Sequence, residues 1–468
     1  MPVPIGAPGS PRRGARLRAP AAPEPAPSRF PWTTIAVVVL LATLGLYAWG
    51  WLVGGNAVGV ALIEIPLLML LTTPLFIRAS RDEQRFDLGG LLAVGLLLRF
   101  AATYYRFAHA ADGAAYHLAG AELAHSYRHL GFNADPKFPV PGTGGMRIIT
   151  GVVEVFTNSN AFATFLVFAW LGFFGCYLFY RAFVTAMPDA DHRRYALLIL
   201  LWPTLVFWPS SIGKDCWMVF TLGIAALGAA RVLMRRPGGY TLLLLGLVAG
   251  ALVRPHVSLL FAVAFGVALM LGRRADRPGA FTPTVVAKAA GLVVLLALGG
   301  YLVSRTGDLL KTQDVTGGSV DSALSINALR TSQGGSSFSA ASPTNPIGYG
   351  IAAVTIMFRP LLIEANGTEG LATSLEAMFL FGLCLASWKR LASIPRRLRS
   401  QPYVAMACAY ILMFFFAFGT IANFGILARE RSQMMPFVFV LLALTVMPPR
   451  PKLAPPPKVE RRSTRRAR

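Results

Sequence analysis

Three groups of residues in this 468-residue chain carry side chains that could do chemistry. The first is Arg106 to His129, RFAHAADGAAYHLAGAELAHSYRH, which follows directly on an apolar run. On a helix Asp112 and Tyr116 stand one turn apart on one face, with His117 beside them and His109 three residues before Asp112. A carboxylate held at a membrane surface can take a proton from a hydroxyl at the depth where lipid phosphates react. The same pattern also suits an amphipathic surface helix whose charges are merely solvated. The second group is Trp208 to Trp217, WPSSIGKDCW. Here Pro209 breaks a helix, Ser210 and Ser211 can cap the next, and Lys214–Asp215 puts two charges at membrane depth. Ionisable groups are costly there and mark function by default, with Lys214 suited to a phosphate; a self-neutralising pair near a helix N-terminus is the plainer alternative. The third group is a set of arginines at the ends of apolar runs: Arg254 in RPH, followed by His256, Arg359 in FRP, and Arg429 with Arg431 in LARERSQ. The planar guanidinium fork suits phosphate oxygens. Headgroup anchoring, or pairing with Glu364, Glu376 and Glu430, would account for the same residues.

The elements that must position these groups are membrane helices. The chain is 55% hydrophobic and only 14% charged, with a mean hydropathy of +0.56. A soluble domain has about 25% charged residues, so this composition cannot cover itself for water. Its apolar stretches repeatedly reach the roughly 17–25 residues that cross a bilayer. Spans are expected near 34–54, 56–77, 88–106, 155–180, 194–209, 215–235, 239–253, 256–272, 284–303, 370–388, 402–422 and 433–448. The expected fold is therefore all-α: a polytopic transmembrane helical bundle of about twelve spans over 34–448. The segments near 194–209 and 239–253 are short and could be re-entrant or broken, at Pro209 or Pro255. Residues 1–33 and 449–468 read as disordered basic tails rich in Pro, Ala and Arg. With both tails cytoplasmic, most of the 44 Lys and Arg fall inside and the outer side is near charge balance, as the positive-inside rule requires. That orientation leaves two long external loops, about 107–154 and 304–369, the second passing through Gly334 to Ser337.

Several function classes are disfavoured. The formal charge of +23 sets orientation and meets anionic lipid headgroups rather than nucleic acid, since no basic and aromatic platform accompanies it. No CxxC pair links Cys176, Cys216, Cys384 and Cys408, which read as small buried hydrophobes. His109, His117, His125 and His129 share the first loop, but no acidic ligand stands at a defined spacing from them, so no metal is assigned. No GxxxxGK[ST] loop offers an ATP site, so an activated substrate must arrive from elsewhere; no cofactor is assigned. Glu64 reads as a buried packing or relay residue and Arg99 as a snorkelling cation or its partner. Charges deep in several spans would mark a transporter; here they gather at the outer surface.

An acid just after an early span on the external side, followed by a tyrosine and small residues (Asp112, Tyr116, Gly120), resembles the first external loop of the GT-C glycosyltransferases. Gly113 stands where that family often carries a second acid, and the likeness covers about 25 residues plus the topology. The resemblance implies an inverting transferase that draws sugar from a polyprenyl-phosphate donor, with Asp112 as general base toward a glycan or glycolipid acceptor. Tyr116, His117, Lys214, Asp215, Arg254, His256, Arg359, Arg429 and Arg431 would then contact substrate, the cations holding the lipid phosphate. The setting would be a bacterial inner (plasma) membrane and envelope polysaccharide synthesis. The external arginines also suit a Wzy-like polymerase acting on lipid-diphosphate oligosaccharides, which would not depend on one carboxylate; a lipid or solute transporter is the third reading.

Overall fold

The computed structural model describes residues 30–54, 56–132, 135–271, 328–329, 331–332 and 336–446. The expected span near 284–303, residues 304–327 of the loop 304–369 and nearly all of both tails lie outside them. The principal helices, in chain order, are α1 (Trp32–Gly54), α2 (Ala61–Asp82), α3 (Leu88–His109), α4 (Ala111–Arg128), α5 (Thr143–Phe156), α6 (Ala161–Ala186), α7 (His192–Leu201), α8 (Pro203–Phe207), α9 (Lys214–Leu233), α10 (Gly239–Ala251), α11 (Pro255–Leu271), α12 (Pro346–Phe358), α13 (Gly367–Ala386), α14 (Pro402–Phe418) and α15 (Phe424–Leu442). The described residues form no strand, only an isolated bridge between Ser337 and Asn423.

The protein is all-helical and its longest helices suit a bilayer. Six of them (α1, α2, α3, α6, α9 and α13) are long and apolar enough to cross one. A seventh crossing exists if the segment Trp388–Arg397 and α14, bent by 108° to each other, count as one. Against the expectation of about twelve spans, the described residues hold six or seven helices of full length, and the expected span near 284–303 lies outside them. The segment near 194–209 is interrupted at Trp202, which the following Pro203 forces into an extended conformation with ψ 126°. The segments near 239–253 and 256–272 form helices of 13 and 17 residues. At 1.5 Å per residue these rise only about 20 and 26 Å, short of a hydrocarbon core of ~30 Å. Within the loop of about 107–154 the chain folds into helices, α4 and α5, packed against each other.

Close packing of the bundle depends on small residues, as it must where lipid gives no hydrophobic drive between helices. Gly175 of α6 faces Gly223 of α9, and a Cβ added at Gly223 would come within 2.5 Å of the Gly175 carbonyl oxygen. Arg99, wholly buried in α3, donates to the carbonyls of Gly95 and Leu200 and to the Cys176 sulfur. Its partners are therefore backbone and thiol, not Glu64 as the sequence suggested; Glu64 keeps one carboxylate oxygen without a partner among the described residues. Helix α15 is enclosed along most of its length, and Ser432, Gln433, Met434 and Met435 are all fully buried.

Replacing Gly223 with leucine should force α6 and α9 apart and collapse the yield of monodisperse protein on size exclusion. The same change at Gly382 of α13, where an added Cβ meets nothing within 4 Å, should leave the elution profile unaltered.

Candidate functional site

A cavity of about 490 Å³ lies where four stretches distant in sequence converge. Each wall has a local cause. Helix α3 ends at His109, and the single residue Ala110 (φ −93°, ψ 81°) turns the chain straight into α4. Asp112 thereby falls in the first turn of α4, where the helix dipole favours a negative charge. Gly213 starts α9 and puts Lys214 and Asp215 in its first turn. Arg254 ends the turn between α10 and α11, immediately before Pro255. Asn423 caps α15 by accepting from the amides of Gly425 and Ile426, which fixes the turn that carries Arg429 and Glu430.

The charges form one continuous chain. Arg429 donates through Nη1 to Asp112 Oδ2 (3.1 Å) and through Nε to Asp215 Oδ2 (2.9 Å). Arg254 donates through Nη2 to Asp215 Oδ1 (3.3 Å) and through Nη1 to Glu430 Oε2 (2.5 Å). Gln433 Nε2 then reaches the same Glu430 oxygen at 2.6 Å. The sequence reading of a Lys214–Asp215 pair is corrected here. Asp215 is buried with a guanidinium on each oxygen, while Lys214 points elsewhere and donates to Thr143 Oγ1 at 3.2 Å. Burial, and next the Asp112 carboxylate, push the Tyr116 phenol up, so it stays a neutral hydrogen-bonding group beside Thr143.

Of the residues singled out from sequence, Asp112, Tyr116, Lys214, Arg254 and Arg429 line the cavity, and Asp215 braces it from behind. Four do not join them. His117 lies between α4 and α5, with Nδ1 2.7 Å from the buried Glu154. His256 is exposed and sits near the ring of Phe418. Arg359 grips Glu364 with two donors beside the stacked rings of Phe338 and Phe424, and that hydrogen bonding holds the Glu364 carboxyl below its usual range. Arg431 is fully enclosed and donates to the Arg359 carbonyl, because α15 turns it away from the neighbouring Arg429. The nearby Glu376 accepts from Trp202 Nε1 and from the amide of Thr204.

Two cations escaped the sequence reading. Arg147 of α5 lines the cavity, donates to the Pro136 carbonyl and lies 4.1 Å from the Phe138 ring centroid. Arg106, buried in the last turn of α3, sits against the rings of Phe207 and Trp208 and donates to Ser211 Oγ at 3.4 Å. Arg147 lies between a proline-rich loop and the short apolar part of α5, away from the ends of the long apolar runs, so nothing in its spacing marked it. Arg106 had a signal, a cation closing an apolar run one and a half turns before Asp112. Among the described residues no group of three or more His, Cys, Asp or Glu could hold a metal ion.

Comparison with known proteins finds no matching family model, no matching curated protein and no matching solved structure. What the site does must be argued from its own chemistry. It offers one exposed carboxylate, a neutral phenol and an excess of cations around a partly apolar space, an arrangement suited to proton transfer beside an anion.

The two acids on Arg429 should differ sharply in what they contribute to stability. Asp215→Asn leaves two partly buried guanidinia short of a counter-charge around a buried site and should cost ~3 kcal/mol, read as a large drop in melting temperature. Asp112, 62% exposed at its side chain, makes an ion pair worth ~0–1 kcal/mol, so Asp112→Asn should melt almost unchanged.

Proposed function

We propose that the chain is an integral-membrane glycosyltransferase of GT-C-like architecture. On this reading it takes sugar from a polyprenyl-phosphate donor on the outer face of a bacterial inner membrane and extends an envelope glycan or glycolipid. The observation that carries the reading is the presence of Asp112, Lys214, Arg254 and Arg429 on one cavity. Asp112 takes the proton from the acceptor hydroxyl. The hydroxyl oxygen forms the new bond to the sugar carbon as the bond from that carbon to the phosphate oxygen breaks. The electron pair leaves with the polyprenyl phosphate, whose charge is met by the cations, and electrostatic stabilisation of this kind is worth ~3–4 kcal/mol per well-placed donor. The Arg429 contact keeps Asp112 aimed into the cavity.

A Wzy-like polymerase is the second reading, favoured by one observation: the cavity has four cations, Arg147, Lys214, Arg254 and Arg429, but a single exposed carboxylate. A lipid diphosphate would use such a wall without needing Asp112 as a base.

Purified protein in lipid, given radiolabelled polyprenyl-phosphate sugars, should transfer sugar, and Asp112→Asn should lose ~10²–10⁴-fold in kcat, the usual worth of a general base. Transfer that survives the substitution, or turnover only of a lipid-diphosphate oligosaccharide, points to the polymerase; none with any donor points to transport. The same orientation fixes a labelling pattern in a cysteine-free background. In intact cells His129→Cys should react with a membrane-impermeant maleimide, and Arg399→Cys should react only after the membrane is opened.

A further inference from the structure

We infer that Lys214 and Arg147 form the phosphate-binding wall of the cavity, and that Arg254 and Arg429 are positioning residues rather than phosphate ligands. This rests on the reading of the cavity as a phosphate-handling site and divides its cations by what each is already bound to. Arg254 is held by Asp215 and Glu430, and Arg429 by Asp215 and Asp112. The charge of each is therefore already met by two carboxylates, which leaves little net positive charge for a phosphate. Pulling either away from Asp215 or Glu430, both buried, would leave a costly unpaired charge.

Lys214 and Arg147 are differently placed. Among the described residues the hydrogen-bond partner of each is a neutral oxygen, Thr143 Oγ1 for the ammonium and the Pro136 carbonyl for the guanidinium. An ammonium has three donors and a guanidinium five, so most of both sets is uncommitted. Thr143 and Arg147 stand one turn apart on α5, which places their Cβ atoms about 6 Å from each other on one face. Lys214, bonded to Thr143, therefore converges with Arg147 on the same patch of wall. The ring of Phe138 under the guanidinium fixes the plane of its fork. Behind Lys214, α9 begins at Gly213, which has no side chain to cap the first amides, so the dipole adds to the positive field. A phosphate monoester accepted here would replace the neutral oxygens by charge-assisted hydrogen bonds. It would also leave the Asp112–Arg429–Asp215 chain intact beside it. Exposed Phe138 and Val140 flank the wall, as a lipid-linked phosphate would require, although a soluble phosphate has the same headgroup chemistry.

The test is equilibrium binding to the full-length protein in nanodiscs of neutral lipid, with a radiolabelled polyprenyl monophosphate as probe and the parent polyprenol as control. The phosphate should bind and the alcohol should not. Lys214→Gln and Arg147→Gln should each weaken binding roughly tenfold or more, the worth of one charge-assisted hydrogen bond, and Lys214→Arg should restore most of it. Lys137→Gln, which removes an exposed cation of the same loop that does not line the cavity, should bind as the parent does. Displacement of the probe by inorganic phosphate with the same dependence on Lys214 and Arg147 would support the site and name its ligand as soluble phosphate; resistance to displacement would name the lipid form. Unchanged affinity in both glutamine variants, or equal binding of the alcohol, would overturn the inference. Intact binding without any sugar transfer would leave the phosphate wall standing and remove the transferase reading.

Discussion

Asp215 lies almost out of contact with water, and each of its oxygens accepts from a different guanidinium. Through it α9 is joined to the α10–α11 turn by Arg254 and to α15 by Arg429, while Arg429 carries the connection on to α4. Three stretches that share no local contact in sequence are registered against one another by a single carboxylate. In a low-dielectric interior such a link is strong only if no charge is left over. The inner part of the array meets that condition with two carboxylates, Asp215 and Glu430, against two guanidinia, Arg254 and Arg429. The third carboxylate, Asp112, is exposed, and Gln433 adds a neutral donor to Glu430. The position of the exposed Asp112 follows from this buried frame, since its recorded partner belongs to the frame and not to solvent.

Glycine does for the apolar part of the bundle what Asp215 does for the polar part. Gly175 and Gly223 bring the α6 and α9 backbones into contact, and α9 is the helix whose first turn holds Lys214 and Asp215. A site built at the start of a helix takes its precision from the packing of that helix further down. The break at Trp202–Pro203 serves the same end, because it leaves Thr204 Oγ1, the Thr204 amide and the Trp202 indole turned toward Glu376 instead of prolonging a straight span.

Much of this was legible in the sequence, for identifiable reasons. Long apolar runs have no soluble alternative, so the all-helical membrane class followed from composition. The one-turn spacing of Asp112 and Tyr116 and the abrupt charges of Lys214–Asp215 marked positions that do meet in space. What periodicity could not carry was partner choice. Adjacent residues Arg429, Glu430 and Arg431 point in three directions, and only the packing of α15 decides that Arg429 reaches the cavity while Arg431 turns inward to the Arg359 carbonyl. Lys214 and Asp215 looked like each other's partner because they are neighbours, whereas consecutive helical residues diverge by about 100° and each finds a partner on another element. The described residues hold fewer full-length helices than the hydropathy count, because a proline or a short helix cuts several apolar runs below the length of a bilayer, which hydropathy alone does not register.

Ala110 is a joint of one residue between α3, which is long enough to cross the membrane, and α4, which carries Asp112. So short a link has little slack to absorb a change in the attitude of α3. Helices answer a mismatch between their apolar length and the bilayer by tilting, and a tilt of α3 must be transmitted to the carboxylate at the head of α4. The acyl-chain length of the surrounding lipid is therefore a mechanical variable of this site, acting on the distance between Asp112 and Arg429 without touching either.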